Sequence, residues 1–495
     1  MDISGLPGFY AIAAADPGRI AVIDTDDTRT TYGDLLARVN QVSHGLRARG
    51  LGKGDVVAGV LPNGIDAVVM LMATGQIGLY YVPINWHLTE PEVAYILSDC
   101  DAKVVVTSAE YAVPGGEIGT SGLAEGQPTD APGERTAGAV MWYTSGTTGF
   151  PKGVQRKLPD AEPEAIVPLY VWFLGEVVDL TPGDAVHLVT SPMYHSAPCA
   201  HTQFALHFGH TVVITPRFDP VDILRLVERH HVSNAMMVPT MFHRMLQLPE
   251  EVRASFDVSS LRQVIHTAAA CPVAVKQGIM DWWGPVLYEY YGSTESTIAF
   301  SVKPRDWLAR PGTVGRPAPT FEAKICDENG KELPPGEPGM IYVKSSMGDF
   351  EYRKDPAKTA ASMLGEWYTP GDIGYFDDDG FLFLCDRRTD LIVSGGVNIY
   401  PAEIEAALLE HPAVADVAVI GVPDEEWGHN VVALVQPAEG AEPGPALTAE
   451  LLAHCVPRIA RFKHPKAVEY RDQLPRTPTG KLSRSKVRED YLASR

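Results

Sequence analysis

Short β-rich runs alternate with helical runs along the first hundred residues of the chain. Ile20–Ile23 and residues 55–61 have the apolar, β-branched composition of strands, and residues 31–49 between them have that of a helix. Thr31 followed by Asp34 places an acidic side chain in the first turn, where it stabilises a helix start. This alternation predicts an α/β fold in which parallel strands are covered by helices.

A domain boundary is predicted near residues 386–389. The β-like run 380–385 precedes it, and a segment of about a hundred residues, an ordinary size for a small domain, follows it. We therefore expect an N-terminal domain over residues 1–385, a hinge at 386–389 and a small α+β C-terminal domain over residues 390–495. Upstream, residues 158–168 are polar and contain proline, and we interpret them as a connection between elements.

The composition excludes several classes of protein. The chain has 41 Lys and Arg residues against 62 Asp and Glu, a formal charge of −21, which argues against nucleic-acid binding and requires local positive charge wherever an anion binds. The 6 cysteines are scattered and lack a Cys-x-x-Cys pair, as is typical of reduced thiols rather than of disulfides or zinc ligands. We expect no signal peptide and no membrane span, because neither a basic leader nor an apolar stretch of about 18 residues occurs. The predicted compartment is the cytoplasm.

One loop has the composition of a phosphate-binding segment. Residues 143–154 read Tyr-Thr-Ser-Gly-Thr-Thr-Gly-Phe-Pro-Lys-Gly-Val and follow an apolar, strand-like run at 138–142. Glycines let backbone N–H groups approach a polyanion, hydroxyl groups donate further hydrogen bonds, and Lys152 adds positive charge. The spacing is not that of a Walker loop. Taken alone, the segment could equally be a flexible surface loop.

Six further segments carry residues of chemical interest. A carboxylate in a tight turn, such as Asp372, can accept hydrogen bonds from both hydroxyl groups of a ribose. The segments are residues 191–198 with His195, 288–296 with Thr294 and Glu295, 312–317, 368–374 with Asp372, 386–405, and 475–482 with Lys481.

In this order and spacing the chain resembles the adenylate-forming superfamily, which comprises acyl-CoA synthetases, peptide-synthetase adenylation domains and beetle luciferases. The resemblance covers nearly the full length, from Thr31 to the end, and is closest to bacterial fatty-acyl or aryl-CoA ligases. It implies a large N-terminal domain of parallel-rich sheets with covering helices plus a β-subdomain, and a small mobile α+β C-terminal domain. It also implies a monomer or homodimer that acts on a small carboxylic acid with ATP, Mg²⁺ and coenzyme A.

The implied reaction has two steps. A carboxylate attacks the α-phosphate of ATP to give an acyl-adenylate and pyrophosphate, and the thiol of CoA then displaces AMP to give a thioester. Because the first step brings two anions together, catalysis depends chiefly on positioning and on electrostatic stabilisation.

The resemblance assigns the β- and γ-phosphates to one loop, formed by Thr144, Ser145, Gly146, Thr147, Thr148, Gly149 and Lys152. It assigns the adenine slot and its flanks to two further segments, formed by Ala268, Ala269, Ala270, Glu289, Tyr290, Tyr291, Gly292 and Ser293. Asp372 and Arg387 match the ribose-binding pair. Ordinary core packing of the tyrosines and a surface ion pair between Asp372 and Arg387 are the alternatives.

Catalytic roles are carried over in the same way. Thr294 and Glu295 match the residues for the α-phosphate and magnesium, and a single Glu suffices for a cation that keeps most of its waters. Lys481 matches the lysine that bridges the carboxylate and the α-phosphate, and His195 matches the residue that borders the acyl carboxylate, although a lone histidine is often structural. Gly395, Gly396 and Asn398 are expected to line the pantetheine channel of CoA.

The acyl pocket is the least defined part of the prediction. Residues 236–242, rich in methionine, and the small residues 267–270 are its expected walls, because methionine adapts to irregular apolar guests. These walls lack an arginine for a second carboxylate, which argues against malonate, and residues 191–198 lack an aspartate for an amino group, which argues against amino acids. A hydrophobic monocarboxylic acid remains, either fatty, alicyclic or aromatic.

Three positions depart from the family pattern. Thr389 stands where relatives usually carry Asp or Lys as the pivot between two domain orientations, Pro370 replaces the threonine of Thr-Gly-Asp, and residues 267–270 read Thr-Ala-Ala-Ala instead of Gly-Ala-Ala-Pro. None of these changes removes a reactive group.

Two other functions are considered: an adenylation enzyme that loads a carrier protein, and a non-catalytic nucleotide sensor, which the presence of Glu295 and Lys481 disfavours.

Overall fold

The computed structural model describes residue 5 and residues 8–144, 151–394, 397–424, 427–476 and 482–494. The first part of the chain forms a five-stranded parallel sheet in the order β6-β5-β3-β4-β7, flanked by helices. The elements of this part of the chain, in order, are α1 (Phe9–Ala15), β1 (Ile20–Ile23), β2 (Arg29–Thr31), α2 (Tyr32–Ala48), β3 (Val56–Val60), α3 (Ile65–Gly75), β4 (Tyr80–Pro83), α4 (Glu90–Cys100), β5 (Ala102–Thr107), β6 (Glu117–Ile118), α5 (Ser121–Ala124), β7 (Ala139–Val140) and β8 (Trp142–Thr144).

The helix predicted at residues 31–49 is confirmed as α2. Thr31 is its N-cap, and the side chain of Thr31 accepts a hydrogen bond from the backbone N–H of Asp34, which satisfies one of the free donors at a helix start. The predicted strand Ile20–Ile23 is confirmed as β1.

The middle of the chain builds the larger sheet. Its elements are β9 (Lys152–Arg156), α6 (Pro163–Val178), β10 (Val186–Val189), α7 (Ser196–His207), β11 (Thr211–Ile214), α8 (Pro220–His230), β12 (Asn234–Met237), α9 (Pro239–Leu246), α10 (Glu250–Ala254), β13 (Gln263–His266), α11 (Val273–Trp283), β14 (Leu287–Tyr291) and β15 (Phe300–Val302). Strands β1, β11, β10, β12, β13 and β14 are parallel in that order. Strands β12 and β13 are buried along their whole length, as expected where helices cover both faces.

The interpretation of residues 158–168 as a connection is wrong in its second half, because α6 begins at Pro163. Proline is favourable at the first helical position, where its missing N–H has no helical acceptor. Pro168 lies inside the helix, and the buried residues Val167, Leu174 and Val177 on the same helix account for its stability despite the lost hydrogen bond.

Residues 303–387 continue the large sheet as an antiparallel β-subdomain. Its elements are α12 (Pro304–Ala309), β16 (Thr313–Pro317), β17 (Phe321–Cys326), β18 (Gly339–Ser345), β19 (Phe350–Tyr352), α13 (Pro356–Ala361), β20 (Met363–Leu364), β21 (Trp367–Tyr368), β22 (Asp372–Phe376) and β23 (Leu382–Arg387). Strand β19 leaves this sheet and pairs with β9, which pairs with β8. This small sheet brings the β-subdomain to the predicted phosphate loop.

The C-terminal part has its own hydrophobic core around a three-stranded sheet in the order β26-β27-β28. Its elements are β24 (Ile392–Ser394), β25 (Val397–Ile399), α14 (Pro401–Leu409), β26 (Val414–Asp424), β27 (Gly428–Pro437), α15 (Pro445–Cys455), a 3₁₀ turn (Arg461–Lys463), β28 (Ala467–Tyr470) and α16 (Arg484–Ala493). The predicted α/β class, with a large N-terminal domain, a β-subdomain and a small α+β C-terminal domain, is confirmed. None of the helices in the described ranges has the length and apolarity needed to cross a membrane.

Candidate active site

The two flanks of the predicted phosphate loop lie on paired strands. Strands β8 and β9 are antiparallel, and Thr144 at the end of one is paired directly with Lys152 at the start of the other. The ring of Tyr143 lies over Gly153, where an added Cβ would come within 3.0 Å of it. The predicted phosphate-binding residues Ser145, Gly146, Thr147, Thr148 and Gly149 lie outside the described residues. The pairing of β8 with β9 therefore brings the two flanks of the loop together.

Lys152 has a partner on the β-subdomain. Its Nζ lies 3.3 Å from the Oδ2 atom of Asp355, and this contact raises the pKa of Lys152. Asp355 is also the N-cap of α13, where its side chain accepts from the backbone N–H of Lys358. Lys152 is thus held in its charged form beside the loop.

Glu295 is the buried carboxylate of this site. Its side chain is 9% exposed, and its Oε1 accepts a hydrogen bond of 2.8 Å from the hydroxyl of Tyr352. The guanidinium of Arg156, on the same strand as Lys152, donates to the backbone carbonyl of Glu295. Thr294, its predicted partner, is half-buried. No group of three or more metal-ligating side chains occurs in the described parts of the chain, and a single carboxylate fits a magnesium ion that retains its waters.

The turn that carries Glu295 needs a glycine at its start. A Cβ on Gly292 would lie 1.7 Å from the carbonyl oxygen of Thr297, so only glycine fits there. The backbone N–H of Thr297 donates to the carbonyl of Ser293 over 2.7 Å, and the hydroxyl groups of Ser293 and Tyr368 are 3.3 Å apart. These contacts fix the turn against the β-subdomain.

The aromatic residues predicted for adenine have different surroundings. Successive side chains of a strand point to opposite faces, and Tyr290 points towards α7, where it is buried and stacks on His201 with ring centroids 5.9 Å apart. Tyr291 is half-buried, and its hydroxyl donates to Oδ2 of Asp372 over 2.6 Å. The core-packing alternative describes Tyr290, whereas Tyr291 contacts a predicted ribose-binding residue.

Glu289 is engaged on the opposite face of the same strand. Its Oε2 lies 2.6 Å from Nζ of Lys276 and 3.5 Å from Nε2 of His266, and all three side chains are buried. Burial raises the pKa of Glu289 although Lys276 opposes the shift. The carboxylate therefore fixes α11 to the sheet. The predicted adenine wall Ala268, Ala269 and Ala270 is an exposed bend that follows the buried Thr267.

The predicted ribose pair is formed. Asp372 and Arg387 are register partners on β22 and β23, and Nε of Arg387 lies 3.3 Å from Oδ1 of Asp372. The ion pair named as an alternative is therefore present, but Asp372 also accepts from Tyr291, a residue predicted to bind adenine. Arg387 is exposed, which leaves its guanidinium accessible to a ligand.

The predicted acyl side begins at His195. This residue is the N-cap of α7, its ring lies 4.4 Å from that of Tyr194, and its Nε2 is buried without a hydrogen-bond partner in the described structure. Burial lowers the pKa of His195 to about 4, so the ring is neutral at neutral pH. Of the predicted methionine wall, Met236 is buried and is the register partner of Ile265, which places both on the face covered by α7.

Comparison with known proteins identifies the family of this chain. Residues 9–348 match the AMP-binding enzyme family, and residues 403–481 match the C-terminal domain of AMP-binding enzymes. The chain belongs to this family. The membership predicted from the sequence, in the adenylate-forming superfamily, is thereby confirmed.

Three relatives show the range of this family of AMP-binding enzymes. A feruloyl-CoA synthase from an Amycolatopsis species is 34% identical, with 94% of each chain covered. A fatty acid–[acyl-carrier-protein] ligase from Streptomyces coeruleorubidus is 31% identical, with 93% of this chain and 91% of the relative covered. The solved structure of o-succinylbenzoate CoA synthetase from Bacillus subtilis, in complex with its acyl-adenylate intermediate, is 30% identical with a TM-score of 0.83 and covers 97% of each chain.

The predicted hinge of this AMP-binding enzyme, residues 386–389, lies within a cluster of charged side chains. Strand β23 extends to Arg387, two residues into the predicted hinge, and Thr389 is exposed. The guanidinium of Arg484 contacts Asp386 at 3.1 Å and Asp390 at 3.0 Å, on either side of Thr389. Asn398, predicted for the pantetheine channel, is exposed on β25, while Gly395, Gly396 and Lys481 lie outside the described residues.

The sequence did not predict the partners of the charged groups in this AMP-binding enzyme. Asp355 contacts Lys152, and Tyr352 contacts Glu295. Both belong to the segment from β19 to α13, about two hundred positions from Lys152, and neither residue stands in a distinctive local pattern. To predict these contacts one would have to know that β9 pairs with β19, and the periodicity of the sequence does not indicate which strands pair.

Proposed function

We propose that this protein is an ATP-dependent acyl-CoA ligase. It activates a hydrophobic monocarboxylic acid, fatty, alicyclic or aromatic, through an acyl-adenylate and then transfers the acyl group to CoA with release of AMP and pyrophosphate. The proposed domains are an N-terminal domain over residues 1–385, a hinge at 386–389 and a C-terminal domain over residues 390–495.

One structural observation carries the proposal. Lys152, Glu295 and Asp372 belong to segments far apart in sequence but are joined by a continuous set of contacts. Strand β9, which begins at Lys152, pairs with β19, whose Tyr352 bonds Glu295; the turn of Glu295 follows Tyr291, which bonds Asp372. The cation of Lys152 suits the phosphates of one nucleotide, the carboxylate of Glu295 suits a metal ion bound to them, and the carboxylate of Asp372 suits the ribose.

In the proposed first step, a carboxylate oxygen of the acid forms a bond to the α-phosphorus while the bond to the pyrophosphate oxygen breaks. Lys152 binds the outer phosphates, Asp372 accepts from the ribose hydroxyls, and the neutral ring of His195 borders the acid without repelling or protonating it. Glu295 would hold magnesium, which offsets phosphate charge when bound. Lys481 stabilises the charge that develops between the two anions.

In the proposed second step, the sulfur of CoA attacks the acyl carbonyl, the thiol proton is lost, and AMP leaves. The C-terminal domain must then change its orientation about residues 386–389, as hinge residues absorb the backbone change. A Thr389→Pro variant tests this assignment, because proline restricts the backbone. We expect normal adenylation with impaired thioester formation, and full overall turnover would contradict the pivot role.

The decisive experiment for the proposed function is ATP–pyrophosphate exchange with a panel of saturated fatty acids of increasing length, alicyclic acids and aromatic acids. Exchange with any of them, followed by formation of its CoA thioester when CoA is added, is the expected result. A protein that binds ATP but supports exchange with none of these acids is not a ligase of this class.

The role of Lys481 has its own test. Lys481→Ala should reduce adenylation by about 10²–10³ or more, since it removes a charge aimed at the transition state, yet leave thioester formation from pre-made acyl-adenylate nearly intact. An equal loss in both half-reactions would contradict the assignment.

A second candidate differs only in the acceptor. One relative is named as a fatty acid–[acyl-carrier-protein] ligase, which favours a carrier protein's phosphopantetheine arm as the alternative to CoA. Supplying ATP and the active acid with CoA alone separates the two. Adenylation without thioester formation, restored by a holo-carrier protein, would establish the second function.

A further inference from the structure

His243 forms a hydrogen bond between the two domains outside the predicted hinge. It belongs to α9 of the N-terminal domain, and its Nε2 lies 2.9 Å from the backbone carbonyl oxygen of Ala415 on β26 of the C-terminal domain. Because a carbonyl oxygen only accepts, Nε2 carries the hydrogen. The contact therefore fixes one edge of the C-terminal domain against α9.

A β-bulge makes the carbonyl of Ala415 available to α9. Between Val414 and Asp416, β26 advances by two residues while its partner β27 advances by one, so Ala415 has no register partner. A bulge leaves its extra residue outside the ladder of hydrogen bonds between the strands. The carbonyl can therefore accept from another element, and His243 supplies the donor.

The residue after Ala415 holds the base of the segment that carries Lys481. Asp416 accepts a hydrogen bond of 2.7 Å from Nε of Arg476 and a second one from a terminal nitrogen of the same guanidinium, so the ion pair is bidentate. Arg476 is in turn the bridge partner of Leu482, which packs against the C-terminal core. The described residues on either side of positions 477–481 are thus fixed relative to the bulge.

Helix α9 lies at the predicted acyl side of the site. It begins at Pro239, two residues after the parallel strand β12 ends at Met237, within the segment 236–242 that is predicted to line the acyl pocket. Ligands of open α/β sheets bind at the carboxyl ends of the strands. His243 follows four residues after the start of α9, about 6 Å along the helix axis. The contact with Ala415 therefore brings Arg476 to this edge of the sheet.

We propose that His243 is a positioning residue for the adenylation step. By binding Ala415 it holds the C-terminal domain in the orientation that presents the segment 475–482 to the acid and the α-phosphate, and the ion pair between Asp416 and Arg476 fixes that segment to the docked strand. The thioester step requires another orientation of the same domain, in which this contact is broken. The inference rests on the proposed function and adds three residues that position its catalytic lysine.

The test measures the two half-reactions separately. Adenylation is followed by ATP–pyrophosphate exchange with whichever acid of the panel above reacts fastest, and thioester formation is followed from its pre-made acyl-adenylate with CoA, or with a holo-carrier protein if that is the acceptor. His243→Ala should lower kcat for exchange by about three- to tenfold, the factor expected for one hydrogen bond. KM for ATP and for the acid should stay the same, because His243 contacts the other domain and neither substrate.

Thioester formation by His243→Ala should be unchanged or faster, because that step requires the contact to break. It also shows that the variant is folded. His243→Gln keeps an N–H donor and should restore part of the exchange activity.

Asp416→Asn should lower exchange by about tenfold or more, since it removes a charged, bidentate pair, and should likewise spare thioester formation. The matched control is Glu410→Gln, which removes another carboxylate–arginine pair of the C-terminal domain, 2.8 Å from Arg458, and should leave both half-reactions unchanged.

Two results would overturn the inference while the proposed function stands. One is wild-type exchange activity in His243→Ala. The other is an equal loss of both half-reactions in His243→Ala and Asp416→Asn, which would indicate lost stability instead of lost positioning. Absence of exchange by the wild type with the whole acid panel overturns both the inference and the proposed function.

Discussion

The phosphate side and the acyl side of the candidate site differ in how their polar groups are satisfied. On the phosphate side Lys152 is paired with Asp355, Glu295 accepts from Tyr352, and Asp372 contacts Arg387. On the acyl side the polar atoms that the described structure leaves buried and unpaired include Nε2 of His195, both ring nitrogens of His201, the hydroxyl of Tyr194 and the hydroxyl of Ser191.

The difference indicates how each side would treat a ligand. A nucleotide arriving at the phosphate side must exchange existing ion pairs for new ones, so its charges compete with groups such as Asp355. On the acyl side, a polar substituent gains hydrogen bonds that the free protein does not make. Charges are expected to control affinity for the nucleotide, and neutral groups the choice of acid.

The largest expected effect is acid destabilisation of the acyl side. Besides His195, burial lowers the pKa of four histidines on or beside α7, to about 4 for His187, His207 and His210 and about 3 for His201. The unfolded chain binds these protons below about pH 6.5 but the folded chain does not, so stability is present above that pH and is lost as pH falls, by about 1.4 kcal/mol per unit for each histidine and about 5 for the four. Urea-unfolding midpoints measured from pH 7.5 to pH 5 check this.

Two variants localise that acid effect. His201→Leu should make the pH slope shallower, whereas substitution of the exposed His231 by Gln should leave it unchanged. A midpoint that stays constant between pH 6.5 and pH 5 in the wild type would show that these histidines are protonated in the folded protein.

The buried ion pair between Lys276 and Glu289 should have the next largest effect, on the free energy of unfolding. Lys276→Met leaves the carboxylate of Glu289 buried without its cation, at a cost of about 3–5 kcal/mol. The double variant Lys276→Met/Glu289→Gln should recover most of this loss, because no charge then remains buried. Urea midpoints at pH 7 measure both, and a single variant as stable as the wild type would contradict the prediction.

The Glu295→Gln variant tests the predicted role of Glu295 as the carboxylate that holds magnesium. The amide oxygen can still accept from Tyr352, so the turn should persist, while adenylation falls by about 10²–10³ because a charge that serves the phosphates is removed. ATP–pyrophosphate exchange over a range of magnesium concentrations is the measurement. The control Tyr352→Phe keeps the carboxylate and should lose far less; equal losses would assign Glu295 a structural role.

Asp355→Asn should have the smallest effect, and it should improve ATP binding where the other variants reduce stability or activity. It releases Lys152 from a half-exposed ion pair worth about 0.2–1 kcal/mol, so the KM for ATP should fall by a factor of about 1.5–5. Asp378→Asn, at an exposed position elsewhere in the β-subdomain, controls for the change in net charge. An increase in KM would mean that Asp355 positions Lys152 instead of competing for it.

Much of the fold could be predicted from local patterns. Strand β1 matches the predicted residues, and α2 differs from its prediction by one residue at each end. The error at α6 has a local cause, since the prolines at 163 and 168 were interpreted as breakers, although the first is a favourable helix start and buried side chains stabilise the helix across the second.

The candidate site was predictable only in part. The residues assigned by resemblance stand in contiguous segments, so their order along the chain identified them, and Asp372 with Arg387 proved to be adjacent. Tyr290 and Glu289, neighbours in the same segment, instead point into the protein on opposite faces of β14. Which face each side chain takes depends on the register of β14, which composition does not reveal.

The amino-acid sequence by itself determined the family, the α/β alternation and the separate C-terminal domain, because hydrophobic periodicity and contiguous motifs are properties of the chain read in order. Only the tertiary structure decided that Asp355 pairs with Lys152, that Tyr352 bonds Glu295 and that the ring nitrogens of His201 make no hydrogen bond to any described residue. These contacts join residues from distant strands and helices, and their distances follow from strand pairing and helix packing, which no short stretch of sequence contains.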